Sequence, residues 1–150
     1  MEEIVSVNAK PIDVLQDEII EEFSIFDGDR ESTIFYIMEL GQQLESLSDQ
    51  YKTDEYIIKG CQSKVWLFSK MQNNRIFYMA DSNTEITKGL ISLLIRVLSG
   101  QKADDIIQTN LYFIEKIGMG QIIGAQRSNG LTAMIKQMKL YAMAFKSKIR

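Results

Sequence analysis

"KVWLFSKMQNNRIFYMA", residues 64–80, holds two apolar runs, 64–71 and 76–80, on either side of the polar "QNNR" at 72–75. Two β-prone runs around an Asn-containing turn read as an antiparallel hairpin. The short "YII" at 56–58 is β-prone too and is expected to add a third strand. Everything outside this stretch reads as helix. Helices before and after a block of strands point to an α+β fold, a three-stranded antiparallel sheet flanked by helices. They do not point to a doubly wound parallel sheet.

On the N-terminal side, Ile12, Leu15, Ile19, Phe23 and Phe26 fall at helical spacing with acids between them, so a helix is expected over 11–25. Pro11 suits a first helical position, and "DGD" at 27–29 ends the helix. A second helix covers about 31–46, with Ile34, Ile37, Met38 and Gly41 on one side. Gly41 weakens a helix by roughly 1 kcal/mol against Ala, which suggests close packing there. On the C-terminal side, "SNTE" (82–85) has the spacing of a capping box, with Ser82 as cap and Glu85 reaching back. The apolar helix it opens stops at Gly100. "ADDIIQ" and "LYFIEKIG" suggest two shorter helices. "GMGQIIGAQRSNG" (118–130), with four glycines, reads as a loop or loose bend. A last helix over about 129–147 carries Leu131, Met134, Ile135, Met138, Ala142 and Phe145 on one face. The eight methionines read as core filler.

The chain of 150 residues has the size of one domain, here expected to span 1–150. No run of about 18 apolar residues occurs, so no membrane span is expected. "MEEIVSVNAK" starts with acids where a secretory signal has bases, and one cysteine allows no internal disulfide. Both suit a cytoplasmic location. The net charge of −3 argues against a nucleic-acid partner. The charge is also uneven. Residues 1–55 hold 15 acids and 3 bases, while residues 127–150 hold 6 bases and no acid. Solvated helix faces explain this; so does a protein partner with complementary patches.

The hairpin is preceded by "KGCQSKVW" (59–66), which holds the single cysteine of a chain without histidine. Cys/His catalysis is therefore excluded. A zinc site, which draws about four ligands mostly from Cys and His, cannot be built from one Cys, nor can an iron–sulfur cluster held within one chain. No phosphate-binding glycine loop of a known form is present. Sulfur exchange remains open, because a thiolate attacks sulfur without a general base once it has ionised. The flanking Lys59 and Lys64 would favour the thiolate. The plainer alternative is a small buried hydrophobe. A polar, glycine-containing connection between strands favours the functional reading.

Four stretches resemble the SufE family of sulfur acceptors: "GCQSKVW" (60–66), "YIMELG" (36–41), "ADSNTEITKGLIS" (80–92) and "AQRSNGLTAMI" (125–135). They agree in order and spacing across about residues 30–145. Departures are Ala80 for a usual glycine, Gln126 for a serine, and Asn83 where an acid often stands. The resemblance implies a SufE/NifU-like α+β fold. It implies a protein that takes persulfide sulfur from a SufS-type cysteine desulfurase, stimulates that enzyme, and passes sulfur toward iron–sulfur scaffold proteins. Such a protein is a carrier and activator, not a stand-alone enzyme. It holds no metal and no cofactor, the PLP residing on the partner desulfurase. Cys61 is then the acceptor, Gly60, Gln62 and Ser63 shape its loop, and Arg127 stabilises the thiolate or persulfide. Lys59, Lys64, Asp81 and Asn83 are candidate partner contacts. Trp66, at the start of the following strand, is expected to anchor core. A non-covalent activator that carries no sulfur on Cys61 is the alternative.

Overall fold

The hairpin forms. In the computed structural model, which describes residues 10–148, β1 (Val65–Gln72) pairs antiparallel with β2 (Arg75–Ser82). The acidic start, with Glu2 and Glu3, and the C-terminal Arg150 lie outside the described residues. Asn73 and Asn74 join the strands at φ 56° and 63°. Positive φ at both positions matches the right-handed strand twist, and Asn tolerates it better than most residues. Val65, Leu67, Ala80, Tyr78 and Ile76 share one face of the hairpin and are buried. On that face the Tyr78 hydroxyl donates to the Met138 carbonyl at 2.6 Å. Trp66 and Phe68 point the other way and are half-buried. Phe68 stacks on Tyr51 with ring centroids 4.1 Å apart. Trp66 thus lies outside the main core, contrary to expectation, because strand alternation puts it opposite Val65 and Leu67.

Among the described residues the sheet has two strands, not three. Tyr56 closes a single 3-10 turn, Asp54–Tyr56. Only Ile57 forms a bridge, to Trp66, and the Ile58 amide donates to the Val65 carbonyl at 2.8 Å. Gly60, at φ +95°, then turns the chain away before a ladder can extend. A second single bridge, Ile76 to Gln101, lies on the other edge of the hairpin.

The helices hold this hairpin. α1 (Ile12–Ser24) begins one residue later than expected; Pro11 is extended (ψ 150°) and caps it instead of entering it. α2 (Arg30–Gln43) is capped by Asp29, whose carboxylate accepts from the Ser32 amide at 2.9 Å. It lies along α3 (Glu85–Leu98), the most buried helix. Their contact is backbone on backbone at Gly41 and Gly89, where a Cβ on Gly41 would fall 2.8 Å from the Gly89 nitrogen. The capping box does not form. Ser82 ends β2 and its hydroxyl donates to the Lys64 carbonyl at 2.7 Å, while Thr84 takes the cap position. The Glu85 carboxylate accepts from Gln42 on α2 at 2.8 Å. Pairing of β2 runs two residues further than the apolar run, and so carries Ser82 into the sheet.

α4 (Ala103–Gln108) and α5 (Phe113–Lys116) are the two short helices. α6 (Met119–Ser147) is longer than the sequence suggests. The stretch 118–130 is helical, not loose, apart from one break at Gly124 (φ 86°, ψ 169°). Met119, Ile122 and Ile123 are buried, and that anchorage overrides the low helix propensity of the glycines. Beyond the break, Leu131, Met134, Met138 and Ala142 face the core as their spacing predicts. Among the described residues no helix is long and apolar enough to cross a membrane.

Candidate functional site

The loop between Ile58 and β1 carries Cys61. Ile58 is buried and hydrogen-bonded to Val65, so the loop starts from a fixed point. Gly60 turns the chain at positive φ, and a Cβ there would also press on Ala133 of α6 at 3.2 Å. At the far end the Lys64 backbone is held on both sides. Its amide donates to Asn83 Oδ1 at 3.0 Å, and its carbonyl accepts from the Asn83 amide at 3.2 Å and the Ser82 hydroxyl at 2.7 Å. Both ends are anchored, and the tip leans on α6.

The Cys61 thiol is free and half-buried. It donates to the carbonyl of Gly130, in the first turns of α6 after the break, at 3.5 Å. Residue 130 presents no side chain to the sulfur; a Cβ there would sit 3.6 Å from Sγ, in ordinary van der Waals contact. Beside the sulfur is a cavity of about 200 Å³ whose lining includes Ser63, Thr87, Leu90, Arg127 and Met134. Loop, α3 and α6 thus meet at one small half-open chamber.

Burial pushes the Cys61 thiol up from its ordinary range, toward the protonated form. The flanking lysines were expected to act in the opposite sense. Lys59 and Lys64 are exposed, and charges in water are screened. The resting state is a sheltered thiol, not a standing thiolate. Arg127 lines the same cavity, and its guanidinium donates to the Ile123 carbonyl at 3.4 Å. Gln62 and Ser63 line the cavity as well.

Of the expected partner contacts, Lys59, Lys64 and Asn83 are exposed around the loop. Asp81 is not available to a partner. It is 4% exposed, and its carboxylate accepts from the Leu47 and Ser82 amides at 3.2 and 2.8 Å and pairs with Lys52 and Lys88 at 3.1 and 3.5 Å. Asn83 is largely committed to holding Lys64. The alternation of β2 explains Asp81: its side chain leaves the sheet beneath residues 47–52.

Sequence reasoning missed Thr84 and Thr87 as parts of this chamber, and the role of Gly130. Their hydroxyls lie three residues apart on the first turn of α3, and their bond at 2.8 Å is local. Their tie to Ser63, 3.2 Å from Thr84 and 3.3 Å from Thr87, spans over twenty residues and leaves no periodic signal. Among the described residues no group of three or more His, Cys, Asp or Glu side chains is arranged to hold a metal ion.

Residues 17–142 match the family model described as SufE, Fe-S metabolism associated domain. The chain is similar to a SufE-like protein of Rhizobium etli, with 34% identity over 82% of this chain and 86% of that one. It is also similar to SufE-like protein 1, chloroplastic/mitochondrial, of Arabidopsis thaliana, with 34% identity over 89% of this chain but 37% of that longer protein. The solution structure of a hypothetical protein from Thermus thermophilus superposes with a TM-score of 0.71 at 13% identity, covering 87% of this chain and 94% of that one. That likeness supports the α+β fold, with helices around an antiparallel sheet.

Proposed function

The chain belongs to the SufE family, whose domain is associated with Fe-S metabolism, and from that premise we propose that Cys61 accepts sulfur from the persulfide of a SufS-type cysteine desulfurase. The Cys61 thiolate attacks the outer sulfur of the donor's persulfide. A new S–S bond forms, the donor's own S–S bond breaks, and the donor cysteine leaves as a thiolate. The thiol proton of Cys61 replaces the one that the donor thiolate needs, directly or through water. One sulfur atom has moved and nothing is oxidised or reduced overall. Cys61-S-SH then passes its outer sulfur to a scaffold-side thiol by the same step. PLP chemistry stays on the partner.

One observation carries this reading: the single thiol sits at a chamber mouth on an anchored loop, not in the core. A half-buried rest position suits a persulfide, which water-borne oxidants and reductants would otherwise consume. Arg127 is placed on the chamber wall, where a guanidinium favours the anionic outer sulfur of the product. The in-line approach of a donor sulfur requires the loop to move outward.

The test is mass spectrometry of the protein after mixing with a SufS-type desulfurase and free cysteine. A gain of one sulfur is expected on the wild type, and no gain in Cys61→Ser. Stimulation of the desulfurase should be lost in the same variant. A Cys61→Ser protein that stimulates as well as the wild type would replace the carrier by a non-covalent activator.

A further inference from the structure

Ser63, Thr84 and Thr87 close a ring of hydroxyls beside Cys61. Thr84 Oγ1 donates to Thr87 Oγ1 at 2.8 Å and Thr87 Oγ1 donates to Ser63 Oγ at 3.3 Å. Each hydroxyl has one proton. The third contact, Ser63 Oγ to Thr84 Oγ1 at 3.2 Å, must therefore be donated by Ser63. Each group gives one bond and takes one, and such chains polarise one another. Two members belong to the first turn of α3, where Thr87 is buried. The third belongs to the cysteine loop. Among the described residues, the side-chain hydrogen bonds of residues 59–63 come from Cys61 and Ser63 alone.

From this geometry we propose that Ser63 and Thr87 are positioning residues for sulfur transfer, a clasp that keeps the Cys61 loop in its sheltered place and lets it go reversibly. The inference rests on the reading of Cys61 as acceptor. The bond lengths set how the clasp behaves. Opening the loop breaks the two long contacts to Ser63 and leaves the short Thr84–Thr87 bond whole. The adjoining cavity of about 200 Å³ is wide enough to admit water, which replaces Ser63 as the acceptor for Thr87. The loop therefore has little to lose on leaving and a defined place to return to. Hinges flank it: Ile58 and Lys64 are both fixed by backbone hydrogen bonds, so the moving part is residues 59–63.

Labelling of Cys61 by iodoacetamide reads the open state directly, without any desulfurase. Measured against pH, its plateau reports access and its midpoint reports ionisation. The plateau rate is expected to rise on the order of 2- to 10-fold in Ser63→Ala and in Thr87→Val, the effect of losing one net hydrogen bond. Thr87→Ser, which keeps the hydroxyl, should label like the wild type. Ser63→Ala lies on the loop, so it keeps the test valid if Thr87→Val folds poorly. Equal plateau rates in wild type and Ser63→Ala would overturn the clasp, whatever Cys61 carries. Faster labelling together with no sulfur gain in any variant would uphold the clasp and sink the acceptor reading instead.

Discussion

The thiol of Cys61 and the carbonyl of Gly130 are hydrogen-bonded at 3.5 Å, although 69 residues separate them in the chain. The contact joins the loop before the hairpin to the last helix and sets the state in which the sulfur rests. Because burial raises the thiol's hold on its proton, alkylation of the native protein should reach its half-maximal rate at a higher pH than in urea. The sign carries over to stability. A raised folded value means a stabilising contribution present below the unfolded thiol value of about 8.5 and lost as pH rises through the folded one. The stability difference between wild type and Cys61→Ala should therefore shrink between neutral and alkaline pH. An alkylation midpoint at or below that of the unfolded chain contradicts this environment.

Arg127 is exposed and makes one long hydrogen bond, to a carbonyl one turn earlier. Removing it should leave stability within about 0.5 kcal/mol. Sulfur acceptance by Cys61 should slow about tenfold, the usual scale for a lost hydrogen bond to a charged group. Single-turnover transfer from a loaded desulfurase, in Arg127→Ala and Arg127→Lys beside the wild type, checks both. Unchanged transfer in Arg127→Ala removes the residue from the mechanism.

Gly41 and Gly89 let α2 and α3 touch through their backbones. A Cβ on Gly89 would collide with the Ile37 carbonyl and lie 2.6 Å from its Cγ2. Gly89→Ala should cost at least about 1–3 kcal/mol, as overpacking does, and lower Tm by several degrees. Thermal unfolding followed by circular dichroism measures it, and an unchanged Tm would mean that the helices are not so close.

Gly124 offers a contrasting case. A Cβ there would meet nothing within 4 Å, yet φ is +86° and ψ 169°. Alanine at this position should cost about 1–3 kcal/mol through backbone conformation alone, or straighten the break. Denaturant unfolding of Gly124→Ala gives the magnitude. If its stability equals the wild type while cysteine labelling is altered, the break has straightened and shifted Arg127 and Gly130.

Asp81 holds two lysines and two backbone amides. Burial opposes its ionisation, but the Ser82 amide, Lys52 and the Leu47 amide outweigh that, and the carboxyl stays below its ordinary range. With the folded value depressed, its contribution is present above the unfolded value of about 3.9 and lost as pH falls through the folded one. Asp81→Asn should cost about 1–3 kcal/mol near neutral pH, and the difference from wild type should narrow in acid. Urea titrations at about pH 7 and about pH 3, on either side of that unfolded value, check the sign.

The hairpin was legible because its signal is local: two apolar runs and a pair of asparagines suited to positive φ. The face of the last helix was legible from residues 131 to 142 for the same reason. The third strand was not, since "YII" alone does not show that Tyr56 closes a 3-10 turn and Gly60 ends the pairing after one residue. Glycine counting misled at 118–130, where burial of Met119, Ile122 and Ile123 decides for helix. At the site, chain order and composition singled out Cys61, and motif resemblance added Arg127. The chamber itself, with Thr87 and Gly130 as walls, exists only through tertiary contact.

Gly130 has a consequence for size. The space beside Cys61 Sγ that a methyl group at residue 130 would fill stands empty, because hydrogen is all that this position carries. A visiting atom of comparable bulk fits beneath the loop with no repacking of α6. Alanine would occupy that berth, so the smallest of side chains fixes how large a passenger the cysteine can keep under cover.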